Sequence, residues 1–307
     1  MTDHEKQPLF VTTVSGSQLD PSYVQLRDSA NCADHRLYLE SLWKRFSPYA
    51  DSNFHSEMQR CPQFQGRMWE MRLACVLMDY SHTLVTKISA AGPDVTVATS
   101  PRVHFEAVAP LPTKELTENY ETARRQSAPI PEDEVILRYT TAIDEKSKKA
   151  LRYLEKGIVH SDEPFVIAVS GANIPFPTAP NGHIPWIIKL LFGLGKSYVE
   201  IQVGVGKTGA GIQRQLVRQN RNNAPIESDL FLNEKREHIS AVLFSPHDIK
   251  NRPEYYGRPP GNDFIVVHNP HAKAKIEPWM LRCGREWAVV VDGDLVLLND
   301  WRPKNAK

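Results

Sequence analysis

Gly92-Pro93-Asp94-Val95-Thr96-Val97-Ala98-Thr99-Ser100-Pro101-Arg102-Val103-His104-Phe105-Glu106-Ala107-Val108-Ala109-Pro110 is the stretch on which the fold turns. Residues 95–99 and 103–108 both alternate apolar and polar, the pattern of half-buried strands. Ser100-Pro101-Arg102 between them suits a tight turn, so a hairpin is predicted. Side chains two apart in a strand share a face. His104, Glu106 and Val108 therefore point one way, and the wholly apolar set Val103, Phe105 and Ala107 points into the core. Asp94 sits at the mouth of the first strand and Glu106 inside the second. Two carboxylates brought together in this way repel unless a cation or a proton lies between them. Ligands that are all oxygen suit Mg²⁺ or Mn²⁺ better than zinc.

Upstream, residues 1–33 carry little periodicity and are expected to form an irregular arm. Leu37, Leu39, Leu42, Trp43 and Phe46 predict an amphipathic helix over 34–46. A second helix is expected near 52–60 and, beyond Pro62, a third near 64–80 with Met68, Met71, Leu73, Val76 and Leu77 on its apolar face. Glu70 lies on that third helix, and its competing reading is an exposed glutamate paired with Arg67 or Arg72. Leu84–Ile88 is a short apolar run before the hairpin. Beyond the hairpin, the proline-bearing segment 110–131 reads as a mobile polar flap and Val135–Tyr139 as extended chain. Thr141-Ala142-Ile143-Asp144 resembles a capping box, opening a helix that ends at Lys156-Gly157. Pro164–Val169 is continuously apolar, as in a strand buried on both faces. The predicted order is helix, strand, strand, strand, helix, strand.

Pro93-Asp94, eleven intervening residues and then Glu106 resembles the metal-binding signature of the PD-(D/E)XK nuclease superfamily. The Gly-Pro-Asp…Phe-Glu-Ala-Val-Ala-Pro wording is also similar to a group of uncharacterised bacterial proteins. The resemblance implies an α/β (α+β) fold, with a restriction-endonuclease-like αβββαβ core over 63–175. An N-terminal arm with helices (1–62) would precede that core, and an α+β extension or second lobe (176–307) would follow it. It further implies metal-dependent hydrolysis of phosphodiesters in nucleic acid, DNA foremost. Asp94 and Glu106 would hold Mg²⁺ or Mn²⁺ with the Ala107 carbonyl, and Glu70 would complete the shell directly or through water. His104, on the Glu106 face, would act as base or position the nucleophile. The lysine expected two residues after Glu106 is Val108. In this superfamily that lysine can migrate to the following helix, where Lys146 and Lys149 lie one turn apart, with solvent exposure as the competing account of both. Val108 also supports a second function, a nuclease fold that has lost catalysis and serves as a nucleic-acid-binding or protein-interaction module.

In 176–307 strands are predicted at Tyr198–Val203, Ala241–Phe244, Phe264–His268 and Trp287–Leu298, the last broken by an Asp292-Gly293 turn. Gly204-Val205-Gly206-Lys207-Thr208 lacks the glycine that a phosphate-binding loop needs at Ile201, so a glycine-rich turn is expected. His268 and His271 straddle Pro270 and cannot share a helix face. Ser170-Gly171 does not complete a nucleophile elbow, because Ala168 takes the first glycine position. Lys207, Arg214, Arg218 and Arg221 occur with no acid between Glu200 and Glu227, and such a segment can lie along phosphates. A solvated loop is the alternative.

A formal net charge of +1 excludes a globally basic surface, so any contact with nucleic acid must come from a local patch. The four cysteines contain no CxxC pair, which argues against a structural zinc site and for a reducing compartment. There is neither a basic-then-apolar leader nor a run of roughly 20 apolar residues, so a cytoplasmic protein without membrane contact is expected. A homodimer stays open.

Overall fold

The computed structural model describes residues 7–87, 91–126, 130–178, 184–204, 206–219, 225–289 and 295–300. Helices α1 (Pro21–Asp28), α2 (Ala33–Phe46), α3 (Phe54–Glu57) and α4 (Phe64–Asp79) precede strands β1 (Val95–Val97) and β2 (Val103–Val108). Then come α5 (Lys114–Arg125), α6 (Glu132–Glu155), β3 (Phe165–Ser170) and α7 (Trp186–Leu191). Strands β4 (Leu194–Gln202), β5 (Gly206–Arg214), β6 (Val217–Gln219) and β7 (Pro225–Glu227) form two separate hairpins. The chain closes with β8 (Ala241–Ser245), β9 (Ile265–His268), β10 (Arg285–Val289) and β11 (Leu295–Asp300).

The fold is mixed α/β. One seven-stranded sheet runs β1-β2-β3-β8-β9-β10-β11. Its centre, β2-β3-β8, is parallel, as is β9-β10, whereas β1-β2, β8-β9 and β10-β11 are antiparallel. The hairpin predicted from 95–108 is present, with Val95 opposite Phe105 and Val97 opposite Val103. Leu84 bridges Val97 on the outer side of β1, while Ile88 lies outside the described residues. Alternation along the strands splits the core in two. Val103, Phe105, Ala107, Val166, Ala168, Ala241 and Leu243 pack with α2 and α4, whereas Ile167, Val169, Val242 and Phe244 pack with α6 and α7. The segment after residue 176 thus contributes four strands to the same sheet as the hairpin.

Helix α4 is buried all round from Met68 to Leu77, with Glu70 and Arg72 enclosed among apolar side chains. Its Trp69 indole donates to the Ala168 carbonyl at 2.9 Å, fixing the helix to β3. In α2, Leu39, Leu42, Trp43 and Phe46 are buried as predicted, but Leu37 is exposed. The helix expected at 52–60 is only the single turn α3.

Two predictions between β2 and β3 are corrected. The polar flap contains a helix: the Thr113 hydroxyl accepts from the Leu116 amide and caps α5, which has a single buried anchor, Leu116. Val135–Tyr139 is helical and belongs to α6, which begins a full two turns earlier than predicted. The acidic triplet Glu132-Asp133-Glu134 favours the start of α6 through the helix dipole. The supposed cap at Thr141 lies in its interior, where the hydroxyl donates back to the Leu137 carbonyl at 3.0 Å. Beta-branched neighbours and a threonine pair imitated a strand and a cap; tertiary burial of Val135, Ile136, Tyr139 and Ile143 decided otherwise.

A carboxylate cluster at the open edge of β2

Glu106 is in the middle of β2, fully buried, on the face covered by α6. Lys146 and Lys149 lie 40 and 43 residues away in sequence, yet their ammonium groups meet the same oxygen, Glu106 Oε1, at 2.8 and 2.5 Å. Spacing of three residues puts both on one stripe of the helix, and Tyr153 continues that stripe. The Tyr153 hydroxyl donates to the Gly92 carbonyl at 2.7 Å and lies 3.4 Å from Glu106 Oε2. Gly92 needs its glycine, since φ is +117° there.

Strand β1 begins at Val95, opposite Phe105, so the edge of β2 beyond that point has no strand beside it. Asp94 fills the gap, with Oδ2 accepting from the Ala107 amide at 2.8 Å. Its other oxygen, Oδ1, is 3.9 Å from the Lys87 ammonium. That ammonium is also 3.2 Å from Glu70 Oε1 and 4.0 Å from Asp51 Oδ2. Glu70 comes from α4, on the opposite face of the sheet from Glu106, and its second oxygen accepts from Arg67 at 2.7 Å. Arg67 in turn pairs with Asp51 and Glu57. Glu70 is therefore not the exposed glutamate of the competing reading: it is buried, although Arg67 is indeed one of its partners.

Electrostatics ties the three carboxylates together across the strand edge. Burial pushes the Glu70 carboxyl up to about 7, and Asp94 pushes in the same direction against the opposing pull of Lys87 and Arg67. Burial and then Asp94 also raise Glu106, with Lys146 and Lys149 opposing. For Lys149, burial lowers the ammonium's affinity for its proton, but Glu106 and Asp94 outweigh it and the net shift is upward. The donors are hard oxygens, the kind that suit Mg²⁺ or Mn²⁺. Among the described residues, however, no three His, Cys, Asp or Glu side chains already stand around one point as a ligand set. Each carboxylate is instead engaged with protein cations.

The remaining sequence candidates separate clearly. His104 is buried with both nitrogens occupied, Nδ1 by Thr96 Oγ1 and Nε2 by Glu163, each at 3.0 Å. Burial lowers its pKa, with Glu163 opposing. It braces the hairpin to the start of β3 and is not a free base. In the basic segment, Arg218 is buried and paired with Asp133 and Glu132 of α6, so it is not available to a phosphate. Arg214 donates to the Phe192 carbonyl at 3.1 Å. The Lys207 side chain and Arg221 lie outside the described residues, as does the Asp292-Gly293 turn. Gly204, after β4, and Gly206, at the start of β5, have φ of +86° and +91°, and Val205 lies outside the described residues. His268 pairs with Glu286 at 3.2 Å.

Sequence reading missed Asp51, Lys87 and Tyr153 as members of this cluster. Tyr153 carried a signal: it follows Lys146 and Lys149 at helical spacing, seven and four residues on. Asp51 and Lys87 come from irregular segments, where no periodicity marks a side chain's direction. Comparison of the chain with family models, with curated proteins and with solved structures finds no match.

Proposed function

We propose that the protein is a metal-dependent phosphodiesterase of PD-(D/E)XK type, with a restriction-endonuclease-like core, that acts on DNA. The observation that carries this reading is the convergence of Lys146 and Lys149 on Glu106, beside Asp94. Val108 leaves the signature short of a positive charge, and two ammonium groups from α6 supply charge at the signature glutamate. The element order α4, bridged segment at Leu84, β1, β2, helix, β3 agrees with the αβββαβ core implied by the resemblance, apart from the extra helix α5.

Asp94 and Glu106, with the Ala107 carbonyl, would hold Mg²⁺ or Mn²⁺, and Glu70 would add a further oxygen directly or through water. When bound, such an ion polarises a phosphoryl oxygen and lowers the pKa of a nearby water. The protein's own groups do the rest. Lys149 and Lys146, both partly exposed beside the buried Glu106, would offset negative charge building on the phosphate. Their ammonium groups also orient the attacking water by hydrogen bonding. Asp94, with Oδ2 anchored on the Ala107 amide, keeps Oδ1 on the Lys87 side, 3.9 Å from that ammonium.

A second reading, a nuclease fold without catalysis that binds nucleic acid or protein, is favoured by one observation: the carboxylates are engaged with lysine and arginine and form no ready ligand set. Incubating supercoiled plasmid with the protein and Mn²⁺ or Mg²⁺ distinguishes the two. Nicking that vanishes with chelator and in Asp94→Asn supports the phosphodiesterase. Retention of DNA without any strand scission supports the binding module.

A further inference from the structure

Trp279 is 55% exposed and stands on a backbone that disfavours it. Glu277-Pro278-Trp279-Met280 forms a β-turn, closed by the Met280 amide donating to the Glu277 carbonyl at 3.2 Å. Pro278 takes the second place and Trp279 the third, with φ of +64°. That is the pattern of a type II turn, whose third place ordinarily goes to glycine. A bulky side chain there is strained, and such strain persists only where the surroundings impose it. Here they do. The Trp279 amide donates to Oε2 of the buried Glu286 at 2.7 Å, and Ile276 and Leu281 anchor both sides of the turn in the core beside α4. Arg282, three residues on, also has a positive φ, +56°. Among the described residues no ring or hydrogen-bond partner meets the indole. The fold thus holds a strained tryptophan with more than half of its surface in water.

The chain around this turn is basic. Between Pro270 and Glu286 it carries Lys273, Lys275, Arg282 and Arg285 against Glu277 alone. Lys273 is paired with Glu237 at 2.5 Å, whereas Lys275 and Arg282 are exposed and, among the described residues, in no ion pair. A protein partner or a membrane is met by a contiguous apolar patch. This ring has none on its turn, where the exposed side chains beside it are Lys275, Glu277, Pro278 and Arg282. An isolated ring among cations suits single-stranded nucleic acid, because a ring stacks on any base while cations meet the phosphates. We propose that Trp279 is a stacking platform for an unpaired base of single-stranded DNA, with Lys275 and Arg282 meeting the adjoining phosphates. The proposal rests on the reading of the protein as one that acts on DNA, and it uses none of the carboxylates or lysines assigned to cleavage. A base reaches the ring only where the duplex is open, so the contact selects single strands over intact duplex.

The test is fluorescence anisotropy in chelator, with labelled oligodeoxythymidylate of about 20 nucleotides and a duplex of the same length. Trp279→Ala is expected to weaken single-strand binding on the order of tenfold and duplex binding far less. Trp279→Phe, which keeps a ring, should stay within about threefold of the native protein. Arg282→Gln should reduce the slope of log affinity against log salt by about 0.7, the share of one phosphate contact on a single strand. Trp279→Gly relieves the positive φ, so it should lose the same affinity with a melting temperature at or above the native value, a combination that a purely structural ring would not give. Native-like single-strand affinity in Trp279→Ala overturns the proposal, as do equal losses in Trp279→Ala and Trp279→Phe, or a native protein that does not bind the oligonucleotide. Single-strand binding that depends on Trp279, in a protein that never cuts plasmid, upholds the platform and removes the phosphodiesterase reading alone. Plasmid nicking together with native-like single-strand affinity in Trp279→Ala does the reverse.

Discussion

Glu70 and Arg72 are two residues apart on α4, both buried, and their ionic surroundings are opposites. Arg72 grips Asp263 with both terminal nitrogens, at 2.7 and 3.3 Å, stacks over Phe264, and shares Asp263 with the Ser245 hydroxyl. Burial alone would raise the Asp263 carboxyl, but Arg72, His247 and Ser245 outweigh it and hold the group well below the usual carboxylate range. Around Glu70 the outcome reverses. It too has a guanidinium partner and an ammonium besides, yet its carboxyl rises to about 7, because burial and then the neighbouring charge of Asp94 outweigh both. The first arrangement is a closed pair joining α4 to the segment before β9. The second is a site with one carboxylate too many, and a carboxyl raised by burial and a like charge is a candidate for function.

The comparison is broken most severely at the closed pair. Asp263→Asn leaves Arg72 charged and buried without its partner, which should cost about 3–5 kcal/mol of stability, read as a fall in the denaturant midpoint. A loss below about 1 kcal/mol would place the pair outside the folding core. Next comes chemistry. Lys149 feels Asp94 and Glu70 as well as Glu106, so Lys149→Ala should reduce DNA cleavage on the order of 10²–10³, more than Lys146→Ala does, while DNA retention changes little. Equal and small effects of both substitutions would remove α6 from the mechanism. The smallest effect concerns pH. A buried carboxyl raised from 4.5 to about 7 binds its proton more tightly in the folded state, so its contribution to stability declines as pH rises through that interval. Asp263 has the opposite sign: its contribution is present at neutral pH and lost only as acid protonates it. Glu70→Gln should flatten the melting-temperature profile between pH 5 and about 7 and raise stability at pH 8 by about 1 kcal/mol. A profile with the same slope in both proteins contradicts the assignment.

The hairpin was legible because its two strands alternate cleanly and one face carries only Val103, Phe105 and Ala107. Buried strands β3, β8 and β9 were legible as unbroken apolar runs of suitable length. Helix α6 was half hidden, because Val135-Ile136 and Thr140-Thr141 favour extended chain and caps locally, and only packing against α7 and β3 settles them as helix. Helix α5 was passed over for another reason: Leu116, Tyr120 and Ala123 recur at helical spacing, but the many charges and the flanking prolines made the segment read as loop. At the site, Asp94 and Glu106 could be read from the hairpin pattern, whereas Lys146 and Lys149 entered only through what the resemblance implies for the following helix. Arg218 could not be read, since a basic residue in a polar segment looks solvated until Asp133 and Glu132 of a distant helix are brought against it. Lys87 was out of reach in the same way, its neighbours coming from α4, the segment before it and the hairpin mouth.

The most direct measurement is a crystal of the protein soaked in Mn²⁺, with the anomalous difference map calculated at the manganese edge. The account predicts one strong peak within about 2.0–2.4 Å of oxygens from Asp94 and Glu106. A map with no peak at the edge of β2 under saturating Mn²⁺ would contradict it.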